Sequence, residues 1–484
     1  MDILYPGSSE GCCVVDKREA EKLYDSGKEP TVDKLLELDN ENEQLKEKIA
    51  KLERTSQESS KPPSTDNPNE KGQETRNHNK SKRKTGAQPG HKGTHRELIP
   101  VEEVDEVIPI YPERCEYCHR KQPGGEKANI VKEPFRWQVT EVPPIKPEVT
   151  EFQCFTTRCD CGHINKARLP EEAAKSNFGP RLTAIVAYLI AVGHLSRRNT
   201  EAFCQTILGV NICLGSIQNL LEEMSEAIEP VDKELQDALP SETVINADET
   251  GWRDRWLWIF VASTFVYFRV SATRGSQALI DVFGRVYNGI LCVDRWGAYT
   301  KYHKGLIQIC WAHLKRDFKG ILKIGEAKQS SEAISFAKRM ERLRKRLMSI
   351  WYLFKEEKIS RDELIQKTKP VRSAIERHLK KHKDSQEKSV RTLSINLLKR
   401  VDHLFTFIFH EGVEPTNNIA ERGIRPAVQW RKICFGNRSD NGAVLTSRLL
   451  TVTRSCWLQK RNPLEFLVDT ITTYRSNISA PSLL

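Results

Sequence analysis

The sequence has no apolar run long enough to cross a membrane. Its longest such stretch, about Leu182 to Leu195, contains His194 and falls short of the roughly 20 residues that a bilayer span requires. Residues 1–8 show no basic segment followed by an apolar run, so no signal peptide is expected. The 13 cysteines are an odd number, which disfavours a fully paired disulfide framework. We therefore expect a cytoplasmic protein whose clustered cysteines bind zinc.

Basic residues outnumber acidic ones. The 484 residues include 76 Lys and Arg against 65 Asp and Glu, a formal net charge of +11. This balance favours a polyanionic partner such as nucleic acid, although it also fits a merely soluble protein. The hydrophobic fraction of 38% suffices for folded domains, and the length suggests two to four of them.

A heptad pattern begins at Val32. Its a and d positions are held by Leu35, Leu38, Asn42, Leu45, Ile49 and Leu52. The pattern predicts a leucine-zipper-like coiled coil within residues 1–54, and the single buried Asn favours a parallel pair of chains. The alternative is one amphipathic helix that packs on its own chain, because three heptads are marginal alone.

Residues 55–97 contain almost no apolar side chains and are predicted to be a disordered linker. Its end, from Arg76 to Arg96, is basic and carries no acid. Candidate phosphate contacts in this tract are Lys82, Arg83, Lys84 and Lys92. A solvated basic linker is the equal alternative.

Two cysteine pairs occur in residues 98–175. Cys115 and Cys118 have the usual two-residue spacing, whereas Cys159 and Cys161 are separated by one residue. Together they predict a zinc-ribbon-like module with one tetrahedral ion, in which Cys154 or His163 could replace one ligand. The intervening segment predicts short ribbon strands. The alternative is free thiols in a small β module.

Residues 176–240 are predicted to be helical. Gly179-Pro180 begins an apolar helix, and a later pair of helices is separated by a turn at Gly209. That pair fits a DNA-binding helix-turn-helix whose second helix, from about Ser216 to Met224, enters a groove. Any helical hairpin would give the same pattern.

The pattern then changes to strands, in residues 241–318. Two apolar strands each stop at an acid, Asp248 and Asp294. The order of three strands, a helix and further strands with helices predicts a ribonuclease-H-like catalytic domain in a multidomain α/β chain. Two carboxylates at the ends of adjacent strands would bind Mg²⁺. For either Asp alone, a helix cap or a turn is the better explanation.

A third acid follows a helix-rich segment. Residues 319–411 predict an all-α insertion, and residues 412–484 complete the core. Glu421 lies in a short helix that Thr416 or Asn417 can cap. An ion pair with Arg425 is one interpretation of this acid. A DNA-cutting site is the other, because Glu421 is surrounded by the cations Arg422, Arg425, Arg431, Lys432 and Arg438.

Several of these motifs together resemble one family. The stretches that carry the resemblance are Gly86 to Gly93, Asp248 to Trp252, Cys310 to His313 and Asn417 to Arg422, in addition to the zipper and the Cys pairs. In this order the chain resembles the insertion-sequence-66 transposases, bacterial enzymes of the DDE class. The resemblance implies a catalytic triad of Asp248, Asp294 and Glu421, with Asp248 chosen over the adjacent Glu249.

Two further side chains are candidates for the same site. His313 either contacts the scissile phosphate or is a structural histidine at a helix start, and Arg316 is a candidate phosphate ligand. The chain departs from the family at the second Cys pair, which lacks one spacer residue. It also has Arg295-Trp296-Gly297 after Asp294, where Gly-Tyr is common.

The resemblance implies a transposase that binds terminal inverted repeats and target DNA and assembles as a homodimer or higher oligomer. Structural Zn²⁺ and catalytic Mg²⁺ or Mn²⁺ are the expected cofactors. Accessory proteins of the same element and association with the nucleoid are further expectations, and no membrane partner is expected. Two rivals are a zinc-containing coiled-coil DNA-binding protein without catalysis and a nuclease that acts on RNA–DNA hybrids.

Overall fold

The structure is a computed structural model that describes residues 17–53 and 97–484. It contains two compact units. Of the described residues, the first unit comprises 17–53, 149–206 and 210–484, and the second comprises 97–148 and 207–209. In the described ranges, no helix combines the length and the apolarity that a membrane crossing requires. The basic tract of the linker lies outside the described residues, so its role stays a prediction.

The first unit begins with helices and a small hairpin. The helices are α1 (Lys17–Asp25), α2 (Lys28–Leu52), α3 (Glu171–Lys175), α4 (Pro180–Ala191), α5 (Arg197–Thr206) and α6 (Leu214–Ala238). The antiparallel hairpin is formed by β1 (Thr156–Arg158) and β2 (Ile164–Lys166). As predicted, α4 begins at Pro180, where the missing N–H is not needed for a helical hydrogen bond.

A five-stranded sheet forms the centre of this unit. Its strands are β3 (Val244–Trp252), β4 (Arg255–Val261), β5 (Val266–Ser271), β6 (Ile290–Val293) and β7 (Ile307–Ile309). They lie in the order β5-β4-β3-β6-β7, antiparallel from β3 to β5 and parallel from β3 through β6 to β7. The predicted mixture of strands and helices is confirmed.

One strand boundary was predicted wrongly. The first apolar strand does not stop at Asp248, because β3 continues to Trp252. The last residues of β3 form a tight hairpin with β4, in which Trp252 pairs with Arg255. That pairing keeps the backbone extended although Asp and Gly are poor strand residues.

Helices follow the first three strands of the sheet and make up the rest of the chain around β6 and β7. After β5 come α7 (Ser276–Phe283), α8 (Gly297–Tyr302) and α9 (Trp311–Lys328), and the next stretch contains α10 (Ser331–Lys355), α11 (Arg361–Lys381), α12 (Lys388–Leu398) and α13 (Thr406–Phe409). The chain then returns to the sheet with α14 (Asn418–Cys434), α15 (Asp440–Leu458) and α16 (Pro463–Arg475). Residues 311–409 therefore contain helices and connections and no strand, between β7 and the helix that carries Glu421.

Helix α15 closes the free edge of the sheet. Hydroxyls four residues apart on α15 accept hydrogen bonds from the backbone N–H groups of β5. The pairs are Ser455 with Val266 at 2.9 Å, Thr451 with Phe268 at 2.9 Å and Ser447 with Val270 at 3.1 Å. An edge strand would otherwise present these donors to another chain, so the hydroxyl row prevents edge-to-edge pairing.

Helix α6 is the second helix of the suspected helix-turn-helix. It runs for 25 residues and buries Ile217, Leu220, Leu221 and Met224 among other apolar side chains. Its exposed face carries the acids Glu222, Glu226 and Glu229. Such a face repels phosphate, so it does not favour insertion into a DNA groove.

Helix α2 confirms the helical prediction for the heptad region. Leu35, Leu45 and Leu52 of the heptad seam are 61%, 55% and 76% exposed. A different face of α2 docks on α9, where Lys328 lies 3.3 Å from Glu43. The helix thus packs on its own chain, as in the alternative interpretation, and still leaves much of the seam uncovered.

The ribbon strands predicted between the two cysteine pairs form only at the end of that segment, and the prediction is wrong for the rest of it. Within residues 128–158 the only strand is Thr156–Arg158. The segment contains Pro143, Pro144 and Pro147, which have no N–H to donate to a strand ladder. Its large side chains stay open to solvent, as in Trp137 at 79% exposure.

Candidate active site

The register of β3 and β6 brings two acids side by side. The parallel pairing aligns Val244 with Ile290 and Asn246 with Cys292, and it ends there. Asp248 and Asp294 each follow two residues beyond the last aligned pair. In parallel strands, side chains at equivalent positions face the same way. The two carboxylates therefore share one side of the sheet where the ladder opens.

The electrostatics of Asp248 reflect these neighbours. Burial raises the pKa of Asp248 well above its usual range, and the nearby acids Glu249, Asp294 and Glu421 raise it further. Burial likewise raises the pKa of Asp294, against hydrogen bonding by the backbone N–H of Trp296 and the positive charge of Arg274. Crowded and buried carboxylates favour either a proton or a metal ion.

Glu249, the rival of Asp248, has other partners. Its carboxylate accepts two hydrogen bonds from Arg274, at 2.7 and 2.9 Å, and one from the Tyr299 hydroxyl. Arg274 is held between the indole rings of Trp256 and Trp296, at 4.7 and 4.1 Å from their centroids. A bidentate Arg and a tyrosine satisfy Glu249, whereas Asp248 accepts a hydrogen bond from the backbone N–H of Glu249 at 3.0 Å. Of these two carboxylates, Asp248 is thus the better candidate for a metal ligand.

Asn417 fixes the start of α14 against the sheet. This side chain is 1% exposed and donates to the Ala247 carbonyl at 2.7 Å. Its amide oxygen accepts from Asn246 at 2.9 Å, and its backbone N–H reaches the Cys310 sulfur at 3.1 Å. The predicted cap is therefore wrong in detail: Asn417 holds the N-cap position, but its side chain bonds to β3 and makes no cap bond.

Glu421 lies one turn into α14 and meets α9. Arg316 donates to its Oε1 at 2.9 Å, and His313 Nδ1 lies 3.4 Å from the same oxygen. The ion pair of Glu421 is thus made with Arg316, and the suggested pair with Arg425 is wrong. Burial, together with the charges of Arg316 and Arg295, lowers the pKa of His313 to about 3, so this imidazole is neutral at pH 7.

Comparison with known proteins identifies the chain. A model of the transposase IS66 family matches residues 175–445, which is more than half of the sequence. The match includes the five-stranded sheet, Asp248, Asp294 and Glu421. The chain belongs to the IS66 family of transposases. A second model, a family of unknown function (DUF6444), matches residues 19–97. The predicted resemblance is confirmed.

Two curated relatives of this IS66-family chain come from Sinorhizobium fredii (strain NBRC 101917 / NGR234). Uncharacterized protein y4qI is 27% identical over 239 residues, 45% of this chain and 43% of that protein. Uncharacterized protein y4hP is 23% identical over 409 residues, 76% of this chain and 72% of that protein. The chain thus spans less than half of the first relative and about 72% of the second.

The cations predicted to contact DNA differ in their surroundings. Arg422, Arg425 and Lys432 of this family member are exposed on α14 and remain candidates. Arg431 instead donates to Thr250 at 3.1 Å and to the Gly251 carbonyl, so it fastens α14 to the end of β3. Lys82, Arg83, Lys84 and Lys92 lie outside the described residues.

The two cysteine pairs occupy similar tight turns. In one unit, the backbone N–H of Cys118 points to the Cys115 sulfur at 3.5 Å, and hydrogen bonds of this kind lower the pKa of Cys115. In the other, the loop between β1 and β2 carries Cys159 and Cys161, and its hydrogen bonds lower the pKa of Cys159. Both turns favour thiolates, which are the metal-binding form.

Sequence reasoning missed Arg274 and the role of Asn417. Both act on the site through partners far away in sequence, Glu249 for the first and Ala247 for the second. The one local signal for Arg274 was a charged residue between a strand-forming segment and a helix-forming segment. For Asn417, its position before the helix that contains Glu421 predicted a cap instead.

Proposed function

We propose that this IS66-family chain is a DDE transposase that cuts and joins DNA at an Asp248–Asp294–Glu421 site on a ribonuclease-H-like domain. Water attacks the element end to release a 3′-OH, which then attacks target DNA without a covalent protein intermediate. The observation that carries the proposal is the alignment of Asp248 with Asp294 across β3 and β6. Glu421 is near enough to Asp248 for its charge to raise the pKa of that carboxyl. The strand order supports the ribonuclease-H-like assignment.

The donor set fits divalent magnesium or manganese. Three carboxylates offer the oxygen ligands that these ions prefer, and the raised pKa of Asp248 marks an uncompensated negative site. When bound, the ions would activate the attacking oxygen and stabilise the leaving one. Arg316 holds Glu421 in place, and the exposed Arg422 and Arg425 supply charge for the DNA backbone.

The deciding experiment uses the ends of the element that encodes this chain. Labelled end duplexes are incubated with full-length protein and Mg²⁺, and the products are mapped on each strand. A nick that leaves a 3′-OH at the element boundary supports the proposal. Binding without any cut would support the non-catalytic zinc protein instead, and cleavage confined to RNA–DNA hybrids would support the nuclease.

We expect purified protein to contain about one zinc ion per chain, held by Cys115, Cys118, Cys159 and Cys161. Cys115→Ser should lose most of that metal because three ligands bind zinc far more weakly than four. The matched control is Cys434→Ser, which removes an exposed thiol outside the pairs. Elemental analysis after gel filtration gives the answer. A wild-type zinc content below about a tenth of an ion would rule out the site.

We expect the exposed seam of α2 to join two copies of the chain in a parallel coiled coil. Leu45→Glu should weaken self-association at least about tenfold, since burying a leucine contributes about 1.5–3 kcal/mol. Leu36→Glu is the control, because Leu36 is 64% exposed on the same helix but off the seam. Sedimentation analysis compares the two. Equal self-association of both variants would show that the seam is not the contact.

A further inference from the structure

Three metal-binding atoms meet between α9 and α14. The Cys310 sulfur, His313 Nδ1 and a Glu421 oxygen all lie within 4.8 Å of one another. His313 Nδ1 and Glu421 Oε1 are 3.4 Å apart. The ligands of a tetrahedral zinc ion are separated by about 3.3–3.7 Å, since zinc–ligand bonds are about 2.0–2.3 Å long. Small side-chain adjustments would let these atoms share one ion.

The chemistry of this set differs from that of the three carboxylates. A thiolate, an imidazole and a carboxylate suit zinc, whereas magnesium prefers oxygen ligands alone. His313 Nδ1 is buried and has no hydrogen-bond partner within the part of the chain that the structure describes. A buried nitrogen without a partner is costly, and a bound metal ion would remove that cost.

The set is also reachable and held in place. The side chains of Glu421 and His313 are 31% and 15% exposed, so an ion can enter from solvent along them. Cys310, at 1% exposure, closes the inner end, and its sulfur accepts the backbone N–H of Asn417. Such contacts orient metal ligands in proteins. A water molecule would take the fourth position.

We propose that Cys310, His313 and Glu421 form a zinc site that switches the transposase off. Binding of Zn²⁺ releases the Cys310 thiol proton to solvent and replaces Arg316 as the partner of the Glu421 carboxylate. Glu421 is then withheld from Asp248 and Asp294, so cleavage with Mg²⁺ stops. The inhibitory part rests on the proposed function, and the metal binding does not.

Cobalt spectroscopy tests the binding. Full-length protein with its structural zinc in place is titrated with Co²⁺, and a thiolate-to-cobalt absorption in the near ultraviolet is expected. Cys310→Ser should lose this absorption, and Cys456→Ser, which alters another buried thiol, should retain it. Cys310→Ala is a second variant, and thermal unfolding shows whether each is folded. Persistence of the absorption in both folded Cys310 variants would overturn the site.

Zinc titration of Mg²⁺-dependent end cleavage tests the inhibition. Each protein is compared with its own zinc-free rate. We expect Cys310→Ser to need at least about tenfold more zinc than wild type for half inhibition, because one of three protein ligands is lost. Equal zinc sensitivity would overturn the switch. If wild type never cleaves with Mg²⁺, the proposed function fails, and the cobalt result still decides the metal site.

Discussion

Asp248→Asn is expected to reduce strand cleavage about a thousandfold while binding to end DNA is retained. A metal-held charge in the transition state contributes several kcal/mol, and about 4 kcal/mol corresponds to this factor. The amide is nearly isosteric with the carboxylate but is a much poorer metal ligand. Asp254→Asn is the control, because Asp254 is an exposed acid in the turn of the same hairpin. Cleavage near the wild-type rate in Asp248→Asn would remove Asp248 from the site.

The same substitution should make the metal-free protein more stable. Burial and neighbouring acids raise the pKa of Asp248 above the unfolded value of about 3.9. The folded chain therefore retains a proton that the unfolded chain releases, and stability is lost as the pH rises above about 4 toward the folded pKa. Asn carries no such charge. At pH 7.5 without metal, Asp248→Asn should unfold at a higher temperature than wild type. Added Mg²⁺ should raise the unfolding temperature of wild type more than that of Asp248→Asn.

Asn417→Ala is expected to destabilise the first unit by roughly 2–4 kcal/mol, because the Ala247 carbonyl and the Asn246 amide lose a buried partner. Urea unfolding followed by the fluorescence of buried Trp252 and Trp258 measures this change. Asn418→Ala is the matched control, since the neighbouring side chain is exposed and should matter by less than about 0.5 kcal/mol.

A positioning effect of Asn417 can be separated from instability. At a temperature where the variant stays folded, the Mg²⁺ concentration for half-maximal cleavage should rise, because Glu421 on the loosened helix holds the metal less well. Asn418→Ala should keep the wild-type midpoint. An unchanged midpoint in Asn417→Ala, alongside the lost stability, would reduce Asn417 to a structural role.

The local patterns predicted a large part of this fold. Alternating and apolar runs gave the strands around Asp248 and Asp294, and heptads gave α2, because these signals depend on near neighbours. The choice between Asp248 and Glu249 could not be made locally, since it depends on Arg274 and Tyr299. The contact of Arg431 with Gly251 was equally hidden, because it joins segments 180 residues apart in sequence.

The proline-containing segment between the cysteine pairs shows that a local pattern can also mislead. Its β-branched and aromatic residues imitate strands, but strand formation needs backbone donors that proline lacks. The single-residue spacing of Cys159 and Cys161, which departs from the family pattern, nevertheless fits the loop of a β hairpin. Spacing alone could not show this, because the hairpin depends on pairing between Thr156–Arg158 and Ile164–Lys166.

The helical stretch of residues 311–409 has a consequence for biosynthesis. Asn417 bonds to Asn246 across 171 residues, so the contact that fixes α14 on β3 closes a long loop. Loops of this length form slowly compared with local structure. During translation the sheet and both aspartates emerge well before α14. Under the proposed mechanism, a nascent or prematurely terminated chain that lacks α14 would carry two acids of the triad without the third, and such a chain would be unable to cut the DNA that encodes it.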